Sequence, residues 1–265
     1  MNLWKPLVAV AAFCLLFGGA RAVAQNAQIS RLSEADSLTN ITRLFNDPNT
    51  PASTFDSAVD LFREAYPQSP KMLPVLVTAV RFHRLRGDYL PELHYGLLAL
   101  QSDPHDVYVL SSLGMAIPDN VKTTDLDMDQ RLSQAEGFDQ QVLSVTGAFQ
   151  ITPAGMDYFG RHYTEAQAEM LRNNLNSGAY LSLGRIATVR EQYPQAIAAF
   201  EKAITFQPQP AEQAQTYYHI GVAQAGAKNP AAAHAAFAKA RQLAPKSELL
   251  QKMVQLAEDK LNGNS

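Results

Sequence analysis

The amino-acid sequence predicts an all-α protein, a right-handed α-solenoid of stacked helical hairpins closed by a C-terminal capping helix. Three observations carry that expectation. The stretch from Tyr180 to Pro210 is written again from Tyr217 to Pro245, with Leu183-Gly184 over Ile220-Gly221 and with Ala196, Phe200, Ala203 and Pro208 over Ala233, Phe237, Ala240 and Pro245. The second half of the pattern recurs upstream as Ala58, Phe62, Ala65 and Pro70. The closing segment, Ser247 to Leu261, keeps a helical apolar stripe but lacks the glycine and proline markers.

Each marker has a physical use. Leu-Gly and Ala-x-x-x-Phe-x-x-Ala set small and large side chains on one helical stripe, three and four residues apart. The small residues let two antiparallel helices approach, and the aromatic ring fills the groove between them. Proline lacks an amide donor and clashes with the preceding turn, so it ends the helix. Each unit is then a helical hairpin with a fixed breaker, and because it cannot bury its own apolar faces it must stack on the next. Taken together, the markers resemble the tetratricopeptide repeat, a two-helix unit of about 34 residues. Tyr180 and Tyr217 stand where that repeat usually has tryptophan.

Taken in order, residues 1–24 read as a secretory signal peptide. Lys5 gives a positive start, the apolar run from Leu7 to Phe17 is shorter than the ~20 residues of a membrane span, and Ala22-Val23-Ala24 offers a cleavage site. The competing reading, an uncleaved anchor, is disfavoured by that short run. Cys14 sits inside the run and not at a cleavage point, which disfavours a lipoprotein. Residues 25–38 are a lead-in, and residues 39–149 hold three degenerate units at about 39–72, 73–106 and 107–149. In the second, Glu92 and Gly96 replace the alanine and the aromatic, leaving Ala99 and Pro104. The third restores Leu110, Leu113 and Gly114, then interposes PDNVKTTDLDMDQ before a helix from about Asp129 to Val145 carrying Leu132, Ala135, Phe138 and Val142.

Residues 150–163 are a spacer loop in which Tyr158, Phe159, His162 and Tyr163 bunch, either packing the loop onto the solenoid or forming a binding lip. Residues 164–247 hold units four and five, with an extended first helix that Thr164-x-x-Gln167 opens as a capping box. In residues 248–265, Leu249, Leu250, Met253, Val254, Ala257 and Leu261 line one stripe of a solubilising capping helix, followed by a tail.

Composition narrows the function. Without residues 1–24 the chain keeps 20 basic residues against 25 acidic ones, a net charge near −5, and no cysteine. The acidic balance argues against nucleic acid, which needs a basic stripe. The missing cysteine removes disulfides, thiol catalysis and thiolate metal sites. The motifs His-Glu-x-x-His and Gly-x-Ser-x-Gly, a phosphate-binding glycine loop and a dinucleotide fingerprint are all absent from the sequence. His83, His94, His105, His162, His219 and His234 show no i, i+4 metal pair. No catalytic residue, metal or cofactor is assigned, and the chain reads as a non-enzyme.

One acidic run needs weighing. Asp125, Asp127, Asp129 and Glu136 follow the spacing of a calcium loop, with Leu132 where such loops meet a core. However, Gln130 stands where the sharp turn requires glycine, and a helix across 129–136 carries Glu136 away from the aspartates. Helix capping by Asp125 or Asp127 is the preferred reading.

The resemblance implies a non-catalytic scaffold or adaptor whose first helices line a concave groove for a peptide or a partner's helix. Counted from the Leu-Gly mark, it carries Leu181, Arg185 and Thr188 to the groove in unit four, and Gln215, Tyr218 and Val222 in unit five. Tyr108, Ser111 and Met115 follow in unit three, Val77, Arg81 and Arg84 in unit two, and Arg43 in unit one. Arginine's planar fork suits carboxylates, so one expectation is an acidic or C-terminal peptide. The preferred alternative has these arginines solvated or bridged to neighbouring acids. The expected setting is the bacterial cell envelope, periplasmic or secreted after cleavage, with no nucleic acid and no lasting transmembrane anchor. A second class is a small-ligand-binding periplasmic component associated with solute uptake.

Overall fold

The computed structural model describes residues 32–148 and 164–263, which contain eleven helices and no strand. The expected signal peptide, most of the lead-in and the 150–163 spacer with its aromatic cluster lie outside them. The chain divides into two compact units between Ser69 and Pro70.

The first unit is one hairpin, α1 (Glu34–Asn46) and α2 (Ala52–Ala65). Ser33 opens α1 by accepting the Asp36 amide at 3.1 Å, and Glu34 and Asp36 sit at the positive end of the helix. Ile41 and Leu44 on one helix, and Phe55, Val59 and Phe62 on the other, form the buried stripes. The Tyr66 hydroxyl, beyond the end of α2, donates to the Leu32 carbonyl at 2.6 Å and ties the ends together.

The second unit holds α3 (Met72–Arg86), α4 (Tyr89–Ser102), α5 (Val107–Asn120), α6 (Met128–Ala148), α7 (Glu165–Val189), α8 (Tyr193–Ile204), α9 (Pro210–Gly226), α10 (Pro230–Leu243) and α11 (Glu248–Leu261). Each helix packs on its successor, α6 on α7 included, although the spacer that joins these two lies outside the described residues. First helices touch first helices, α3 on α5, α5 on α7, α7 on α9 and α9 on α11. This is the contact order of an α-solenoid, in which every unit buries its apolar faces only against its neighbours.

The repeat markers are the packing contacts. A Cβ added at Gly184 would stand 2.4–2.8 Å from the Phe200 ring, and one at Gly221 would stand 2.3–2.9 Å from the Phe237 ring. Both rings are wholly enclosed. In the degenerate second hairpin the relation is reversed: Gly96 has taken the aromatic's place, and Leu113 of the next hairpin reaches into the space, 2.7 Å from where a Cβ would be. Glu92, buried at the alanine position, is satisfied by the Ser112 hydroxyl at 2.7 Å and by Arg84 at 3.2 Å.

Helix ends follow local chemistry. Thr164 and Gln167 close the full capping box on α7. Gly87 ends α3 at φ 73°, a left-handed conformation that glycine adopts without strain. On α11, Leu250 and Val254 are buried against α10 while Leu249 and Leu256 stay exposed.

Candidate functional site

Three successive first helices, α5, α7 and α9, surround a pocket of about 230 Å³. Its apolar wall is Met115, Gly178 and Leu181, and Arg185 and His219 lie at one end. Asn174, Gln215 and Glu212 supply polar groups to the lining. The length of α7 adds to the lining: Asn174 lies on the extension of α7 ahead of the fourth repeat, while Ser177 and Gly178 fall at the start of the repeat itself. Gly178 permits the approach of α5, since a Cβ there would be 3.0 Å from Met115 Sδ.

A buried amide chain fixes the wall between α7 and α9. Gln207 Nε2 donates to Ser177 Oγ at 3.0 Å, and Thr216 Oγ1 donates to Gln207 Oε1 at 2.9 Å. Each of these buried groups is paired, so the wall is rigid and not merely polar.

Arg185 and His219 set the electrostatics. Arg185 Nη1 donates to both Asp119 oxygens, at 2.9 and 2.8 Å. Its Nη2 lies 3.5 Å from His219 Nε2, and its buried Nε finds no hydrogen-bond partner among the described residues. His219 also stacks on the Phe200 ring, with centroids 5.5 Å apart. Burial first, and the Arg185 charge second, push its pKa down to about 4. His219 is therefore a neutral acceptor at physiological pH.

The groove residues expected from the sequence divide. Arg185, Gln215, Leu181 and Met115 meet in the pocket. Ser111 borders Gly178, its hydroxyl 3.6 Å from where a Cβ would stand. Arg81 and Tyr108 pair with one another, the guanidinium 5.8 Å from the ring centre. Arg84 is drawn inward to Glu92, the Ser112 carbonyl and Met115 Sδ. Thr188 returns its hydroxyl to the Gly184 carbonyl at 2.8 Å. Tyr218 and Val222 pack against the core around Phe237. In the first unit, Arg43 donates to Asn40 at 2.9 Å. Sequence reasoning missed His219, one turn after Gln215 on the same helix face, and Asn174, which lies outside the repeat frame.

The acidic run does not gather. Asp125 and Asp127 face Arg131 at 3.2 and 3.8 Å, while Glu136 faces Arg190 at 2.8 Å. Asp125 also accepts the Lys122 amide at 3.0 Å, just before α6. Among the described residues no group of three His, Cys, Asp or Glu side chains is placed to hold a metal.

Fold and contact order together define a tetratricopeptide-like α-solenoid. The chain is similar to the crystal structure of a thermophilic TPR protein from Thermus thermophilus, with a TM-score of 0.51 and 17% identity over 85% of this chain and 98% of that one. No protein-family model matches the sequence, and the comparison with curated proteins gives no match.

Proposed function

We propose that this chain is a non-catalytic interaction scaffold of the bacterial cell envelope, acting after export, which holds a peptide segment or partner helix on the face formed by α5, α7 and α9. The observation that carries the reading is the convergence of Met115, Leu181, Arg185, Gln215 and His219, from three successive first helices, on one pocket. Curved stacks of hairpins present their first helices for such contacts. The pocket's size favours one side chain of a larger partner: about 230 Å³ is below the ~300–1,000 Å³ typical of small-molecule sites.

Charge favours an uncharged side chain there. Arg185 is held by Asp119 and Arg84 by Glu92, so a partner's carboxylate gains a guanidinium only by displacing an internal acid. Leu181 and Met115 supply the apolar contact, and Asn174 and Gln215 supply amides to hydrogen-bond the segment's backbone.

The test is cross-linked capture of envelope proteins by the purified protein, beside Gln215→Trp, which blocks the pocket, and Lys239→Trp, which alters an exposed position on α10. A partner lost with Gln215→Trp and kept with Lys239→Trp supports the reading. A partner kept by both variants overturns the placement of the site.

A further inference from the structure

Asp139 occupies, in the third hairpin, the place that phenylalanine holds in the fourth and fifth. Gly184 faces the Phe200 ring and Gly221 faces the Phe237 ring; in the same role Gly114 on α5 faces Asp139 on α6, with Oδ1 2.2 Å from where a Cβ would stand. Leu132, Ala135 and Val142 share its helical stripe, and all four residues are 0% exposed. A carboxyl group thus sits in a slot built for a ring.

The slot offers it one contested partner, the Ser182 hydroxyl. Pro118 lacks the amide hydrogen that a helix would give to the carbonyl four residues back, which is that of Gly114. Ser182 of α7 lies beside Asp139, but its hydroxyl donates to that vacant Gly114 carbonyl at 2.7 Å. With that hydroxyl turned to Gly114, both oxygens of Asp139 lack a hydrogen-bond partner among the described residues, and the nearby Ser182 only partly offsets the effect of burial. A buried, unsatisfied polar group of this kind calls for a reason.

The charges around it do not compensate. Glu136, one turn back on α6, acts on Asp139 with the same sign and is itself held by Arg190, just past the end of α7, at 2.8 Å. From α5, Asp119 is held by Arg185 of α7. Asp106, at the start of α5, accepts the Val109 amide at 2.9 Å and titrates at about 6, raised chiefly by burial. Arg172, the remaining arginine of α7, has a partner of its own. Burial, above all, holds the Asp139 carboxyl protonated well above the usual carboxylate range.

We propose that Asp139 is a pH-sensitive joint of the stack: protonated, it lets α5, α6 and α7 close on one another, and ionised, it opens the third hairpin locally. A lone carboxylate in an apolar slot is strongly disfavoured, and parting α6 from α5 and α7 admits the water it needs. The direction follows from linkage. Opened, the group ionises near its ordinary value of ~3.9; closed, it keeps its proton to a higher pH. The closed form is thus fully stable below ~pH 4 and loses stability as pH rises through the raised value.

Hydrogen exchange tests this on the whole protein, with Asp139→Asn and Asp139→Leu alongside and each rate corrected for intrinsic exchange. The expected result is that protection of amides in α5 and α6 falls, relative to both variants, by up to about tenfold per pH unit as the group titrates, while α9 and α10 change little. Asp106 and His219 titrate equally in all three proteins and drop out of the ratio. Parallel behaviour of wild type and variants overturns the proposal, as does an equal loss in α9 and α10, which signals melting of the whole stack. If Asp139→Asn does not fold, the comparison rests on Asp139→Leu, which needs no proton in the slot.

Discussion

Replacing Gly221 by alanine isolates the energetic role of the repeat's glycine. The new Cβ would stand 2.3, 2.5 and 2.9 Å from three carbons of the Phe237 ring, against an optimal carbon separation of ~3.5–4.0 Å. Phe237 is 0% exposed and packs near Tyr218, with centroids 6.1 Å apart, so the ring has no solvent side into which to move. Overpacking of this sort costs about 1–3 kcal/mol, and the steep overlap puts this site toward the upper end. Exchanging a mid-helix glycine for alanine returns about 0.5–1 kcal/mol, so the net loss is about 2 kcal/mol. Gly137→Ala is the matched control, because a Cβ there meets nothing within 4 Å, and it should stabilise by about 0.5–1 kcal/mol. Urea unfolding at fixed pH reads both as shifts in midpoint at constant slope. The packing argument fails if Gly221→Ala is as stable as Gly137→Ala. It fails also if Gly221→Ala costs the same in a Phe237→Leu background, since contacting residues must couple by more than about 0.5 kcal/mol.

Three further expectations follow from the geometry. The His219 imidazole should titrate near pH 4 in an NMR experiment, and Arg185→Met should raise that midpoint while leaving it below 6.5, because burial remains the larger cause. Since the folded value is depressed, the same residue should cost the protein stability as pH falls from about 6.5 toward 4. Thr164→Ala removes the N-cap of α7 and should cost about 1 kcal/mol, with faster amide exchange confined to the first turn of that helix.

The fourth and fifth hairpins were legible because their markers are the packing contacts themselves: Phe200 and Phe237 lie against Gly184 and Gly221. The third was harder to read. Helical spacing runs its apolar stripe through Phe138, whereas the structure buries Asp139 completely and Phe138 only in part. An acid in an aromatic's place defeats any reading in which polarity marks the outside. The groove was legible as a face but not as a site. The resemblance, counted from the Leu-Gly mark, assigned Arg84 and Thr188 to it, yet such a count cannot show that Glu92 and the Gly184 carbonyl already engage their polar ends. Asn174 escaped because the extension of α7 follows no repeat.

Pro118 reaches further than its own turn. By withholding one amide hydrogen it draws the Ser182 hydroxyl across from α7, so a bond that would have stayed within α5 becomes a rivet between two hairpins. Substitutions at the two positions are therefore not independent. Ser182→Ala alone strands a buried carbonyl, whereas Pro118→Ala restores the helical bond and releases the serine proton toward Asp139. Residues 118, 139 and 182 share one hydrogen between two claims on it, and changing any one of them reassigns it.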